Sequence, residues 1–153
     1  MSETVTEGWG DARAVMARLV GSWSLDRVIA DQGSMRGIAT FTPLDETGLA
    51  YREQGRLRLL DGTALEAERE YVFRESDRGF EVFFKETPLR LFHAISLSAS
   101  DDGAMRGRAG HLCNLDHYGS TYTFRGDGSF VIRHVVSGPR KDYTMVTTYT
   151  RPA

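Results

Sequence analysis

The 153-residue chain has one cysteine, two lysines, no surplus of either charge and no long apolar run. Each scarcity narrows what the protein can be. With Cys113 alone no intramolecular disulfide forms, so a packed core must hold the chain, and a reducing compartment fits. The opening Met-Ser-Glu-Thr-Val-Thr-Glu is acidic where a secretory leader is basic and lacks its apolar stretch, and no segment approaches transmembrane length. The cytoplasm is therefore the expected location, with no membrane partner. Nineteen Lys+Arg against 21 Asp+Glu leave a net charge of −2, which argues against a nucleic-acid coat or a polybasic anchor. That balance leaves small-molecule or protein partners, in a monomer or a homodimer. Lys85 and Lys141 are the only lysines and the other 17 cations are arginine. Arginine keeps its charge when buried, whereas lysine loses it easily. The length suits one domain, residues 1–153, burying roughly two thirds of its unfolded surface.

One helical period is present, where Ala12, Val15, Met16, Leu19 and Val20 recur at spacings of three and four before Gly21. This predicts a helix over about 10–20. Beyond it the pattern has period two, interrupted by turn-forming clusters at 31–34, 45–48, 61–62, 76–79, 100–103 and 126–128. Looser connections lie near 86–89, 114–118 and 138–141. Nine short connections imply about ten antiparallel strands over about 21–151. An all-β, up-and-down barrel is expected, because closure removes exposed edges, with the helix plugging one end.

Strand alternation sorts the side chains by face. Trp23, Leu25, Arg27 and Ile29 share one face of the first strand, and Leu49, Tyr51, Glu53, Gly55, Leu57 and Leu59 one face of the third, with Gly55 a kink point for curvature. On the fourth, Leu65, Ala67, Arg69, Tyr71 and Phe73 oppose Glu66, Glu68, Glu70 and Arg74. Farther on, the inward sets are Leu91, His93, Ile95 and Leu97, then His111 with Cys113, then Phe130, Ile132, His134 and Val136.

Leu19-Val-Gly-Ser-Trp23-Ser-Leu-Asp-Arg27 after a short helix resembles the Gly-x-Trp opening of lipocalin and calycin barrels. In that superfamily an arginine at the end of the last strand closes over the tryptophan, and the resemblance gives Arg151 this role. His111-Leu-Cys113-Asn-Leu-Asp116-His-Tyr118 and Gly138-Pro-Arg-Lys141-Asp-Tyr143 are similar to segments of an uncharacterised family of lipocalin-like barrels from bacteria and fungi. The likeness runs from about Leu19 to Arg151. It implies a barrel fold and carries no established activity. Unlike ordinary lipocalins, the chain has no disulfide and no helix after the barrel.

Alternation sends Arg27, Glu53, Arg69, Tyr71, His93, His111 and His134 into the interior. So many buried ionisable groups must pair or meet a ligand. Two arginines against one carboxylate leave a positive excess, which a carboxylate-like anion would cancel. The expected function is therefore binding of a small, partly apolar anion inside the barrel. Arg27 and Arg69 would anchor it, Tyr71, His93, His111 and His134 orient it, Trp23 and Phe73 wall it, and Lys141 and Tyr143 guide it at the mouth, with Tyr51, Glu53 and Cys113 completing the candidate binding set. The competing view of the last pair is a turn in which Lys141 and Asp142 form a solvated pair. One alternative function is a small isomerase, lyase or hydrolase using His111, Asp116 and Tyr118 for acid–base chemistry. Another is a barrel holding zinc or a related metal through His111, Cys113, Asp116 and His117 with His93 or His134 completing the shell, or one holding haem, for which no sequence feature selects an axial ligand. Neither a nucleophile elbow nor a phosphate loop nor a dinucleotide fingerprint is present, and no cofactor or resident metal is assigned.

Overall fold

The computed structural model describes residues 9–113 and 115–152, without the side chains of residues 12 and 111–113. Ten antiparallel strands follow one helix: α1 (Ala12–Leu19), β1 (Gly21–Ile29), β2 (Gly33–Pro43), β3 (Gly48–Leu59), β4 (Ala64–Glu75), β5 (Gly79–Phe84), β6 (Arg90–Ala99), β7 (Met105–Cys113), β8 (Asp116–Phe124), β9 (Phe130–Ser137) and β10 (Asp142–Thr150). Each strand pairs with its sequence neighbours, and β10 pairs with β1 to close the barrel. The nine inter-strand connections fall where the turn clusters place them. Gly55 pairs with Gly37 across β2 and β3. A Cβ on either would run into the facing backbone, so the two glycines allow the close approach that curvature demands.

Because hairpins alternate ends, the barrel has two unlike poles. At one, Asp11 caps α1 by accepting from the Ala14 amide at 2.8 Å, and Val15, Met16 and Leu19 are buried against the barrel. Val20, expected on this apolar face, instead follows the helix in an extended conformation and is exposed. Gly21, at φ +116°, then turns the chain into β1. Trp23 stacks on Trp9, with centroids 5.8 Å apart, and meets Phe130 edge-on at 4.9 Å. Its indole N–H donates to the Leu19 carbonyl at 2.9 Å. The Arg151 guanidinium lies 3.8 Å over the Trp23 ring and donates to the carbonyls of Arg18, Val20 and Ser22. Helix end, first strand and last strand are thus tied at one point, and this pole is closed.

At the other pole two irregularities shape the wall. β4 has twelve residues and β5 six, so β4 pairs with β5 only over Tyr71–Glu75, and residues 64–70 have a ladder partner on the β3 side alone. Parity still points Leu65 and Arg69 toward the interior, yet both are exposed because no strand covers them. In β6 the register shifts: His93 pairs with Val82 and Leu91 with Phe83, leaving Phe92 as an inserted residue. Phe92 and His93 are consequently both buried, while Leu91, expected inside, is 45% exposed.

Arg151→Ala removes one cation–π contact and three hydrogen bonds. It should lower the unfolding free energy by about 1–3 kcal/mol, read by urea denaturation.

Candidate functional site

The barrel waist is organised around one buried ion pair. Arg27 Nη1 and Nη2 donate to Glu53 Oε2 and Oε1 at 2.7 and 2.9 Å, a fork-to-fork contact. Arg27 Nε donates to Thr147 Oγ1 at 2.8 Å, and Nη1 also approaches Met35 Sδ at 3.6 Å. The Tyr51 hydroxyl donates its proton to Glu53 Oε1 at 2.5 Å, so the contact of 2.8 Å between Tyr51 and Tyr149 runs from Tyr149 to Tyr51. Burial alone would push the Glu53 carboxyl up, but the hydrogen bonds from Arg27 and Tyr51 and the Arg27 charge hold it below the usual carboxylate range. Burial likewise opposes the Arg27 charge, and Glu53 more than restores it. Desolvation leads the causes that push the Tyr51 and Tyr149 hydroxyls upward, so both remain neutral donors.

Of the two arginines expected to anchor an anion, Arg27 is thus paired within the barrel. Arg27 has its strong acceptor within the protein, and the space beside it is about 30 Å³, room for a water or two. The side chains lining it include Arg27, Glu53, Tyr71, Phe92, Tyr122 and His134. His134 Nδ1 shares a hydrogen bond of 2.7 Å with Ser120 Oγ. Burial, followed by the charges of Arg27 and Arg69, depresses His134 from 6.5 to about 4, against a smaller opposing effect of Glu53. His134 is therefore a neutral imidazole at neutral pH. His93, fully inside, meets the Tyr122 hydroxyl through Nε2 at 2.8 Å and stacks on Phe92 at 4.0 Å.

Above the waist the missing β4–β5 pairing opens a vestibule of about 510 Å³, within the range of small-molecule sites. Arg69, Tyr71 and Phe92 line both this space and the waist, so the two adjoin. Phe84, Phe92, Tyr118 and Tyr143 supply aromatic walls. Three cations line the vestibule, and two already face carboxylates: Arg90 pairs with Glu86 at 2.9 Å and Lys141 lies 3.7 Å from Asp116. Lys141 also donates to the Tyr118 hydroxyl at 3.2 Å, which places it at the mouth and not in a pair with Asp142. Arg69 differs. It donates to the Tyr71 hydroxyl at 3.3 Å, and among the described residues no carboxylate lies in ion-pair range. The neighbouring tyrosine, countered by partial burial, raises its pKa further, so the charge is permanent.

The predicted residues thus separate. Arg69, Tyr71, Lys141 and Tyr143 meet at the vestibule; Arg27, Tyr51, Glu53, Phe73 and His134 surround the waist; His93 lies behind it. Trp23, expected as a ligand wall, belongs to the closed pole. Cross-strand register sets His111 opposite Tyr118 and Cys113 opposite Asp116, but the side chains of His111 and Cys113 lie outside the described residues. Among the described residues no cluster of three or more His, Cys, Asp or Glu could hold a metal. Sequence reasoning missed Phe84, Arg90, Phe92, Thr147 and Tyr149. Alternation along β10 from Tyr143 would have found the last two; Phe92 could not be found, because its inward position depends on the bulge.

A family profile described as a family of unknown function, DUF6314, matches residues 19–151. The chain belongs to DUF6314. No curated protein matches the sequence. Among solved structures, this DUF6314 member is similar to the S-type phycobiliprotein lyase CPES from Guillardia theta, at 11% identity and TM-score 0.65 over 99% of both chains. It is also similar to a de novo designed fluorescence-activating beta barrel, at 15% identity and TM-score 0.45 over 89% of this chain and 95% of that one. The likeness to CPES is one of fold, and the design adds nothing to it. No helix among the described residues is long and apolar enough to cross a membrane.

Two outcomes follow from the waist. Glu53→Leu alone should cost about 3–5 kcal/mol in chemical denaturation, because it strands the Arg27 charge, whereas Arg27→Leu with Glu53→Leu should recover most of that loss. His134 should titrate near pH 4 by NMR. Since the unfolded chain takes up this proton at the ordinary value of 6.5, the His134 contribution to stability falls as pH drops from 6.5 toward 4 and changes no further below.

Proposed function

We propose that this DUF6314 barrel binds a small, partly aromatic carboxylate at its open mouth. The observation that carries the reading is Arg69: a permanent guanidinium without a carboxylate partner among the described residues, set between four aromatic side chains in a space of about 510 Å³. A planar carboxylate can accept two parallel N–H bonds from such a fork, as Glu53 does from Arg27 one layer below. Phe84, Phe92, Tyr118 and Tyr143 would cover an apolar body, and the Lys141 ammonium at the rim would attract the anion inward. Neutral His134 adds no charge of its own to the waist, where it presents a hydrogen-bonding edge instead. The lone cysteine supports a reducing compartment as the location. The fold shared with CPES supplies the architecture; the ligand chemistry is argued from these residues alone.

The test is a thermal-shift and titration series with benzoate, naphthoate and decanoate beside their amides. The carboxylates should raise the melting temperature and the amides should not. Arg69→Gln should weaken carboxylate binding by about tenfold or more, since charge-assisted bonds contribute about 1.5–3 kcal/mol. Equal binding of acid and amide, or an unchanged affinity in Arg69→Gln, would overturn the reading.

A further inference from the structure

The outer wall carries a second charged feature, unrelated to the mouth. Residues 21–84 hold 8 Lys+Arg and 12 Asp+Glu, while residues 90–150 hold 7 and 5, with no glutamate among the latter. A chain of net charge −2 thus folds into a barrel with an acidic half, β1 to β5, and a basic half, β6 to β10. On the acidic side arginines meet acids on neighbouring strands: Arg36 lies 3.7 Å from Asp26, Arg52 3.3 Å from Glu68 and Arg56 3.0 Å from Glu66. The basic side has fewer such partners among the described residues. Across β6 to β9 the outward register reads Ser96, Arg108, Thr121, Arg133 in one row and Ser98, Arg106, Thr123, Val131 in the next. Arg106 pairs with Asp102 at 3.0 Å. Arg108, Arg133 and the adjoining Arg125 are exposed, and among the described residues none has a carboxylate in ion-pair range. Asp127, the other acid beside the groove, is engaged with Ser129, accepting from its amide and hydroxyl at 2.9 and 2.6 Å.

We propose that this β7–β9 face docks an acidic segment of a partner protein. The guanidinium forks of Arg108 and Arg133 flank the Thr121 hydroxyl, two strand spacings apart, or roughly 10 Å. Such an array suits successive carboxylates of an extended Asp/Glu-rich stretch, recognised through arginine clusters. The surrounding groove is lined by Arg106, Arg108, Thr121, Thr123, Arg125 and Arg133 among others. Two other polyanions fit less well. Among the described residues the groove has no aromatic side chain for base stacking and no helix to enter a duplex groove. Among the described residues none of the exposed large apolar side chains lines the groove, which gives a bilayer little to insert there.

Fluorescence anisotropy with a labelled oligo-glutamate peptide, its glutamine counterpart and a short DNA duplex tests the proposal. The wild-type protein should bind the glutamate peptide at low salt, more weakly as salt rises, and better than either comparison probe. Arg108→Gln with Arg133→Gln should weaken binding by about tenfold or more at an unchanged melting temperature, while Arg52→Gln with Arg56→Gln on the acidic side should leave it intact. Absence of binding, equal binding of the glutamine peptide, tighter binding of DNA, or indifference to the Arg108 and Arg133 substitutions would each overturn it. None of these readouts involves the mouth or Arg69.

Discussion

The Arg27–Glu53 pair is the constraint around which the interior is arranged. A guanidinium and a carboxylate inside a barrel tolerate one another only when every strong donor and acceptor is matched, since an unpaired buried charge costs several kcal/mol. Here the matching draws on β1, β3 and β10: Arg27 from the first, Tyr51 and Glu53 from the second, Thr147 and Tyr149 from the third. Closure of the sheet between β1 and β10 is what brings Thr147 and Tyr149 to the pair. The network also fills the waist, leaving room for little more than a water.

From that waist the two poles diverge. Toward the helix the interior is aromatic and packed, with Phe130 stacked on Tyr149 at 4.2 Å and joined to Trp23, Phe41 and Phe124, and with Arg151 fastening the chain ends over Trp23. Toward the mouth the short β5 leaves the inner side of β4 uncovered and the bulge in β6 brings Phe92 inward. An aromatic vestibule with an arginine at its base results. The same residue type therefore has two fates: Arg27 is neutralised one layer down, while Arg69 has no carboxylate in ion-pair range among the described residues.

Much of the architecture was legible because its signals are local. Turn clusters marked six of the nine connections and looser breaks the other three, and clean alternation in β4 separated Glu66, Glu68 and Glu70 from Tyr71 and Phe73. The Gly-x-Trp segment and Arg151 foretold the closed pole. Alternation failed at Leu91, where an inserted residue reverses the faces, and it overstated burial at Leu65 and Arg69, where parity holds but no neighbouring strand covers them. Trp23 points inward as alternation requires, yet it stands at the closed pole and not beside the mouth, since parity gives a direction and not a height along the barrel axis.

By itself the sequence determined an antiparallel barrel, the inward sets of most strands, and the presence of two arginines and one carboxylate on inward faces. These follow from period and turn chemistry, which act over a few residues. Only the tertiary structure decided which arginine the carboxylate neutralises, because Glu53 could face either and the choice depends on β1–β3 geometry and on Thr147 arriving from the far end of the chain. It alone decided that the mouth holds more space than the waist, since volume depends on strand lengths and a bulge that no local pattern reveals. The segregation of charge around the wall belongs to both levels: the counts are in the sequence, and barrel closure turns an order along the chain into two opposing faces.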